Sequence, residues 1–422
     1  MLFAALRPAA RGSRRAARAL STAARAAPPS HIVPDELIDA NGGLLEYSVV
    51  YTDRAMNHMS APFGVMMREL HEGLCAVYNA EHAVLIPGSG TYGMEAVARQ
   101  FGGPGRKCVA IRNGYFSYRW SQIYEQCLGM PEGQNPLAPG EGCHGVIRAR
   151  PVEVESAARN PYAPPPLEEV RAMIHRERPA LVCAPHVETS LGILLPDDYV
   201  RGVAEAVRDV DGVFCLDGIA SGTAWVDMGE LGVDCYLTAP QKGWTGPACC
   251  GIVMLSERAR AKMAAGPRST SFSIDLKKWH ELMGTYLDGG FAYHTTMPTD
   301  ALARFHRVFH ETMEYGFQRS KDDAFRLGAG VRAAFAARGF DSVAAKGFEA
   351  PGVVVVYADD AKYAARFREA GVQIAAGVPW LLGEPESNPT FRIGLFGLDK
   401  MRNVDQTLAK FEDKFDQVLA MP

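Results

Sequence analysis

Along most of the chain, amphipathic stretches alternate with short apolar runs. Between residues 59 and 79, Phe63, Met66, Met67, Leu70, Leu74 and Val77 recur at helical spacing, which predicts a helix burying one stripe. Apolar runs follow at 83–86, 108–111, 145–147, 180–184, 213–216, 235–238 and 251–255, with helical stretches between them. This alternation predicts βαβ units and a mainly parallel sheet covered on both faces. After 289–296 the pattern changes. Residues 301–319 and 322–337 predict helices, and 353–357 and 391–395 predict strands, together a smaller α+β unit. No internal repeat is evident, and the proline-rich 161–166 segment serves as a connector.

In open α/β sheets a ligand sits beyond the carboxyl ends of the strands, so the polar residues that end the apolar runs converge. They include Ser89, Asn113, Glu188, Asp217 and Lys242. An acid and a lone lysine presented at successive strand ends suit pyridoxal 5'-phosphate: the lysine binds the aldehyde covalently, and the acid keeps the pyridine nitrogen protonated, which makes the ring an electron sink. The plainer alternative is a loop cap and a solvated surface lysine. Against it, Lys242 lies among Gln241, Gly243, Trp244, Gly246 and Pro247, unusual neighbours for a solvated helix face. Upstream, Pro87-Gly88-Ser89-Gly90-Thr91 links an apolar run to a helical stretch, a place where free N–H groups and the helix dipole favour a phosphate.

The 213–255 segment resembles the active-site block of class V aminotransferases, more closely that of the alanine-glyoxylate and serine-pyruvate group, and the similarity extends over about residues 56–415. The resemblance implies the type I pyridoxal-phosphate transferase fold, with a large cofactor domain at 33–296 and a smaller C-terminal domain at 297–422. It implies that Ser89, Gly90, Thr91 and Gln241 surround the cofactor phosphate. In Asn113-Gly114-Tyr115-Phe116-Ser117-Tyr118-Arg119, it makes Phe116 the ring stacked on the pyridine. It sets Thr189 near the phenolic oxygen, Asp217 at the ring nitrogen and Lys242 at the aldehyde. His186 is either a base or a structural histidine. Tyr293 and Thr296 match a loop that reaches the neighbouring subunit's phosphate, which implies a homodimer with shared sites. Arg392, in Phe391-Arg392-Ile393-Gly394-Leu395, matches the arginine that grips the substrate α-carboxylate.

The implied activity moves an amino group from a small amino acid, alanine or serine, to a 2-oxo acid, glyoxylate or pyruvate. The alternatives are a lyase or desulfurase on the same fold, or a transaminase for another donor such as aspartate or an aminophosphonate. One stretch departs from the family. Where relatives carry a GPGP-type loop, this chain has Glu46-Tyr47-Ser48-Val49-Val50-Tyr51-Thr52-Asp53-Arg54, and the Asp53/Arg54 pair either accepts a polar donor or is structural.

Composition sharpens this picture. A chain of 422 residues exceeds the roughly 250–300 at which single cores stop growing. A net charge of −4 with no basic block in the body argues against nucleic acid as partner, and no run of about 18 apolar residues suggests a membrane span. Nine cysteines without a CxxC pair fit a reducing compartment. His306 and His310 have the spacing of a metal pair, but no third ligand lies nearby in sequence, so no metal is expected. The first thirty residues carry arginines at 7, 11, 14, 15, 18 and 25 and no acid before Asp35. That is the composition of a mitochondrial transit peptide, taken as residues 1–32 and implying the matrix; a chloroplast address and a disordered basic tail are the alternatives.

Overall fold

The computed structural model describes residue 39 and residues 42–52, 55–103, 105–133, 142–155, 158–385 and 387–421. The 1–32 leader and the Asp53/Arg54 pair lie outside the described residues.

The 59–79 pattern folds as the helix Ala61–Tyr78. Its ends follow from local chemistry. The Ser60 hydroxyl accepts from the Phe63 N–H, Pro62 occupies the first turn, and Asn79 closes the helix in the left-handed region.

The seven apolar runs form one sheet in the order His82–Pro87, Cys250–Leu255, Cys235–Thr238, Val213–Asp217, Leu181–Pro185, Lys107–Arg112 and Cys143–Arg148. The last five pair in parallel, while Cys250–Leu255 runs antiparallel to both of its neighbours. The sheet is therefore mainly parallel with one reversed strand. Register aligns Asp217 with Leu237 on one side and Pro185 on the other, at the carboxyl edge. The central strands are buried end to end, which explains why they appear in sequence as continuous apolar runs rather than alternating ones.

A second, antiparallel sheet joins Val353–Tyr357, Thr390–Gly394 and Ala375–Ala376. Its core centres on Leu327, Val331, Phe335, Phe367, Phe391 and Phe415. Two details differ from the sequence-based expectation. The helical stretches meet at Gly316, whose φ of 97° ends the helix Thr299–Tyr315 and lets Phe317–Ala336 start in a new direction. The Thr299–Tyr315 helix, expected with the smaller unit, buries Leu302, Phe305 and Phe309 in the core of the large sheet.

Candidate active site

Two strand ends build the centre. Val213–Asp217 delivers Asp217, and Cys235–Thr238 runs into a turn that carries Lys242. In that turn the Lys242 N–H donates to the Ala239 carbonyl at 3.3 Å and the Thr245 N–H donates to the Lys242 carbonyl at 3.1 Å. Thr245 is left-handed, with φ 54°. Such a conformation persists only when its surroundings over-determine it, and here the anchor is Trp244. Its fully buried ring lies 4.8 Å from Trp225 and stacks on Phe309 at 4.8 Å.

The Lys242 side chain points into a cavity also lined by Asp217, Phe116, Arg119 and Thr189. Among the described residues its amine has no hydrogen-bond partner, and the ring of Phe396 is 5.8 Å away. Burial lowers the Lys242 pKa; the charges of Arg392 and Arg119 act in the same direction, and Asp217 opposes them. Asp217 is buried, and burial pushes its pKa up to about 6, aided by the Glu188 charge. The Ile219 N–H donates to its Oδ1 at 3.1 Å. A buried carboxylate raised in this way favours a proton-bearing partner, which is what a pyridine nitrogen offers. An unpaired amine facing that acid completes a donor set that fits pyridoxal phosphate.

The proposed phosphate end is the start of the helix Gly90–Phe101. Ser89 is its N-cap, but the hydroxyl makes no capping bond; the Tyr92 and Gly93 N–H groups donate to the Ser89 carbonyl at 2.9 and 3.4 Å, while those of Gly90 and Thr91 precede the first intrahelical bond. The Thr91 hydroxyl accepts from Arg119 Nη1 at 2.9 Å. Gln241 Oε1 is buried without a partner among the described residues.

Arg392 comes from the second sheet, where its register partner is Val355. Its Nε donates to the Ala376 carbonyl at 3.0 Å, and its guanidinium stands 5.6 Å from the Phe116 ring centre. Burial lowers its pKa, and the Glu188 charge works against that. Tyr293 and Thr296 are not brought to this cavity. Their hydroxyls pair with each other at 3.0 Å on an exposed loop. His186 is buried, its Nδ1 is 2.7 Å from Ser221 Oγ, and burial pushes its pKa down to about 3, which makes it a neutral structural histidine.

Two residues with no role assigned from sequence stand out. Glu188 is fully buried and accepts from Phe116 N at 3.2 Å, Ser117 N at 2.9 Å, Ser117 Oγ at 2.7 Å, Ser190 N at 3.0 Å and Ser190 Oγ at 2.7 Å. It ties the Phe116 loop to the segment that carries Thr189. Arg119 links Thr91 to the cavity. The sequence signal for Glu188 was an acid between an apolar run and a Thr-Ser pair. Its partners Phe116 and Ser117, 72 and 71 positions away, were not visible.

The N-terminal segment packs beside Tyr293 rather than around the cavity. Tyr51 donates to the Met297 carbonyl at 3.1 Å, and its ring lies 5.5 Å from His58, which contacts Tyr293 at 5.7 Å.

Comparison with known proteins fits this arrangement. The sequence profile of the family described as Aminotransferase class-V matches residues 144–329. The chain is 30% identical over 292 residues to L-aspartate–glyoxylate aminotransferase of Paracoccus denitrificans, covering 67% of this chain and 66% of that one. It is 26% identical over 346 residues to 2-aminoethylphosphonate–pyruvate transaminase of Syntrophobacter fumaroxidans, covering 79% and 84%. To alanine–glyoxylate aminotransferase of Oryctolagus cuniculus it is 24% identical over 297 residues, covering 69% and 66%. The chain thus spans about two thirds of the length of the first and third of these relatives. An alanine–glyoxylate aminotransferase structure from Nostoc sp. superposes with a TM-score of 0.72 at 20% identity, covering 91% of this chain and 92% of that one. A lysine and a buried acid at adjacent strand ends, on this fold and with these relatives, lead to one family: the chain belongs to the class-V aminotransferases, pyridoxal phosphate enzymes of fold type I.

Proposed function

We propose that the protein transfers an amino group from a small amino acid, alanine or serine, to glyoxylate or pyruvate. The observation that carries this reading is the meeting of three groups at one place: the unpaired Lys242 amine, buried Asp217 and the Arg392 guanidinium. Pyridoxal phosphate, when bound, supplies a ring that takes up the electron pair left at the substrate Cα. Asp217 holds the proton on the ring nitrogen. Lys242 Nζ, its pKa lowered by burial and by Arg392, takes the proton from Cα as a general base. Arg392 binds the substrate carboxylate through its planar fork and so sets which Cα bond faces the lysine. Phe116, fixed by Glu188, supplies a flat apolar face for the ring. Ser89, Gly90, Thr91 and Gln241 would hold the phosphate, and Thr189 the phenolic oxygen.

A desulfurase would require a mobile cysteine. Cys249 and Cys250 are buried, and Cys250 is paired in the sheet opposite Pro87, so neither thiol is free to swing. That supports transamination. A second donor has its own support, since the relative at 30% identity is named for aspartate and another for 2-aminoethylphosphonate. A single-turnover screen separates them: each of the four donors is mixed with the purified enzyme, and conversion of the cofactor to its pyridoxamine form is followed, then reversed with glyoxylate or pyruvate. Steady release of ammonia or sulfide without that conversion would sink the aminotransferase reading. In the same assay Arg392→Ala should lower kcat/KM for donor and acceptor alike by about 10- to 100-fold, the equivalent of roughly 1.5–3 kcal/mol for a charge-assisted contact. A loss confined to one substrate would assign the carboxylate to another group.

The same reading includes a homodimer whose sites are completed across the interface. Phe291 and Tyr293 are 56% and 55% exposed, and both lie against His58. If Tyr293 and Thr296 enter the partner's site, the Glu46–Tyr51 segment packed beside them goes with them. Mixed dimers of Lys242→Ala chains and Tyr293→Ala/Thr296→Ala chains should recover activity that neither parent has. Dimers verified by mass but still inactive would count against shared sites. Residues 1–32 are proposed, on their arginine-rich and acid-free composition, to direct the chain to the mitochondrial matrix. A fluorescent fusion of this segment that stays diffuse in the cytosol would end that proposal.

A further inference from the structure

His306 and His310 lie one turn apart on the helix Thr299–Tyr315, and the ligand missing from their neighbourhood in sequence comes from 237 positions away. Glu69, on the helix Ala61–Tyr78, turns its carboxylate toward both rings. His306 Nε2 is 2.6 Å from Glu69 Oε2 and 3.0 Å from His310 Nε2, and His310 Nε2 is 3.5 Å from the same oxygen. The two imidazoles stand nearly perpendicular, at 84°.

Three Lewis bases thus converge edge to edge. A single proton on His306 Nε2 cannot serve Glu69 and His310 together. One cation between them can. Zinc bonds to imidazole nitrogen and carboxylate oxygen measure about 2.0–2.2 Å, which sets tetrahedral neighbours roughly 3.3–3.6 Å apart; the 3.5 Å edge of this triangle already has that length, and small side-chain rotations open the other two. We infer that Glu69, His306 and His310 form a binding site for a divalent transition-metal ion of the zinc class. Two imidazoles and one carboxylate select such ions over magnesium or calcium, which prefer all-oxygen shells. All three side chains are partly open to solvent, so water fills the remaining positions.

The helix contact holds the triangle in place. Gly73, one turn from Glu69, lets Phe309 come close; a Cβ there would stand 2.3 Å from Phe309 Cζ. Electrostatics agree. Among the described residues Glu69 pairs with His306 and His310 and forms no ion pair with an arginine or lysine. A second trio, Glu125, Glu132 and His144, lacks this property, because Glu132 is already held by Arg112 and Arg148 at 3.4 and 2.7 Å. A metal at the first site bridges Ala61–Tyr78 to Thr299–Tyr315 and clamps the two helices together.

The test uses holoenzyme stripped with a chelator and titrated with Zn²⁺, with Co²⁺ as a spectroscopic stand-in. Saturable uptake of one ion per chain and a rise in Tm are expected. Loss of an outer partner of a metal ligand costs roughly 10- to 100-fold in affinity, so Glu69→Gln or the double variant His306→Asn/His310→Asn should weaken binding by at least about 100-fold. The Tm response and the visible Co²⁺ bands should go with it. His310→Asn alone, at the more exposed histidine, guards against misfolding, and retained cofactor absorbance reports that each variant is folded. No saturable uptake by the wild type, or equal uptake by folded variants, would overturn the site.

Discussion

Lys242→Ala should abolish the covalently held chromophore and slow transamination by more than about 10⁴-fold, beyond what a positioned general acid–base group alone contributes, because the same amine also binds the cofactor. Among the described residues no other lysine lines the Asp217 cavity. Lys107 pairs with Glu177, Lys262 with Asp211 and Lys400 with Asp399, and Lys242 is the lysine that lines the Asp217 cavity. Lys242→Arg makes the informative control: it keeps a cation in the cavity but offers no amine nucleophile, so charge alone should rescue neither colour nor rate. Borohydride treatment followed by peptide mapping gives the decisive readout. A cofactor-labelled peptide containing Lys242 is expected from the wild type and none from either variant. A labelled lysine elsewhere in the Lys242→Ala chain would remove this residue from the mechanism.

The cavity was legible in the sequence as far as strand ends were legible. Asp217 and Lys242 each close or follow a continuous apolar run, and a parallel sheet carries such ends to one edge, so a one-dimensional pattern anticipated that the two would line one cavity. Arg392 was singled out by motif, but its approach to Phe116 depends on how the second sheet meets the first, and no periodicity encodes that. Glu188 illustrates the limit. A buried carboxylate is tolerable only with donors around it, and those donors are Phe116, Ser117 and Ser190, two of them far away in sequence. The Glu69–His306–His310 triangle was hidden for the same reason, since the spacing on one helix could be counted while the crossing of two helices could not. Gly316 was passed over because a glycine within a periodic stretch is often tolerated, and only its backbone angle reveals the break.

Asp217→Asn should separate rate from stability. With the cofactor bound, the variant loses the charge that keeps the ring nitrogen protonated, and kcat should fall by roughly 10²–10³, the usual cost of removing one preorganised electrostatic contact. Without the cofactor, the change should work in the opposite direction. Burial raises the Asp217 pKa from 3.8 to about 6 in the folded chain, whereas the unfolded chain ionises near the ordinary value. Between these limits the folded state binds more protons than the unfolded one, so this residue makes the cofactor-free protein less stable as pH rises from about 4 to 6. The full penalty, about 3 kcal/mol, persists above that window and vanishes below it. Asparagine carries no charge to bury. Cofactor-free Asp217→Asn should therefore melt higher than cofactor-free wild type at pH 8, with the difference disappearing near pH 4. Adding pyridoxal phosphate should reverse the order at pH 8, because the protonated ring gives the carboxylate the partner that the empty cavity withholds. A variant that is equally destabilised at both pH values without cofactor would mean that Asp217 bears no such penalty and has found its counter-charge within the protein.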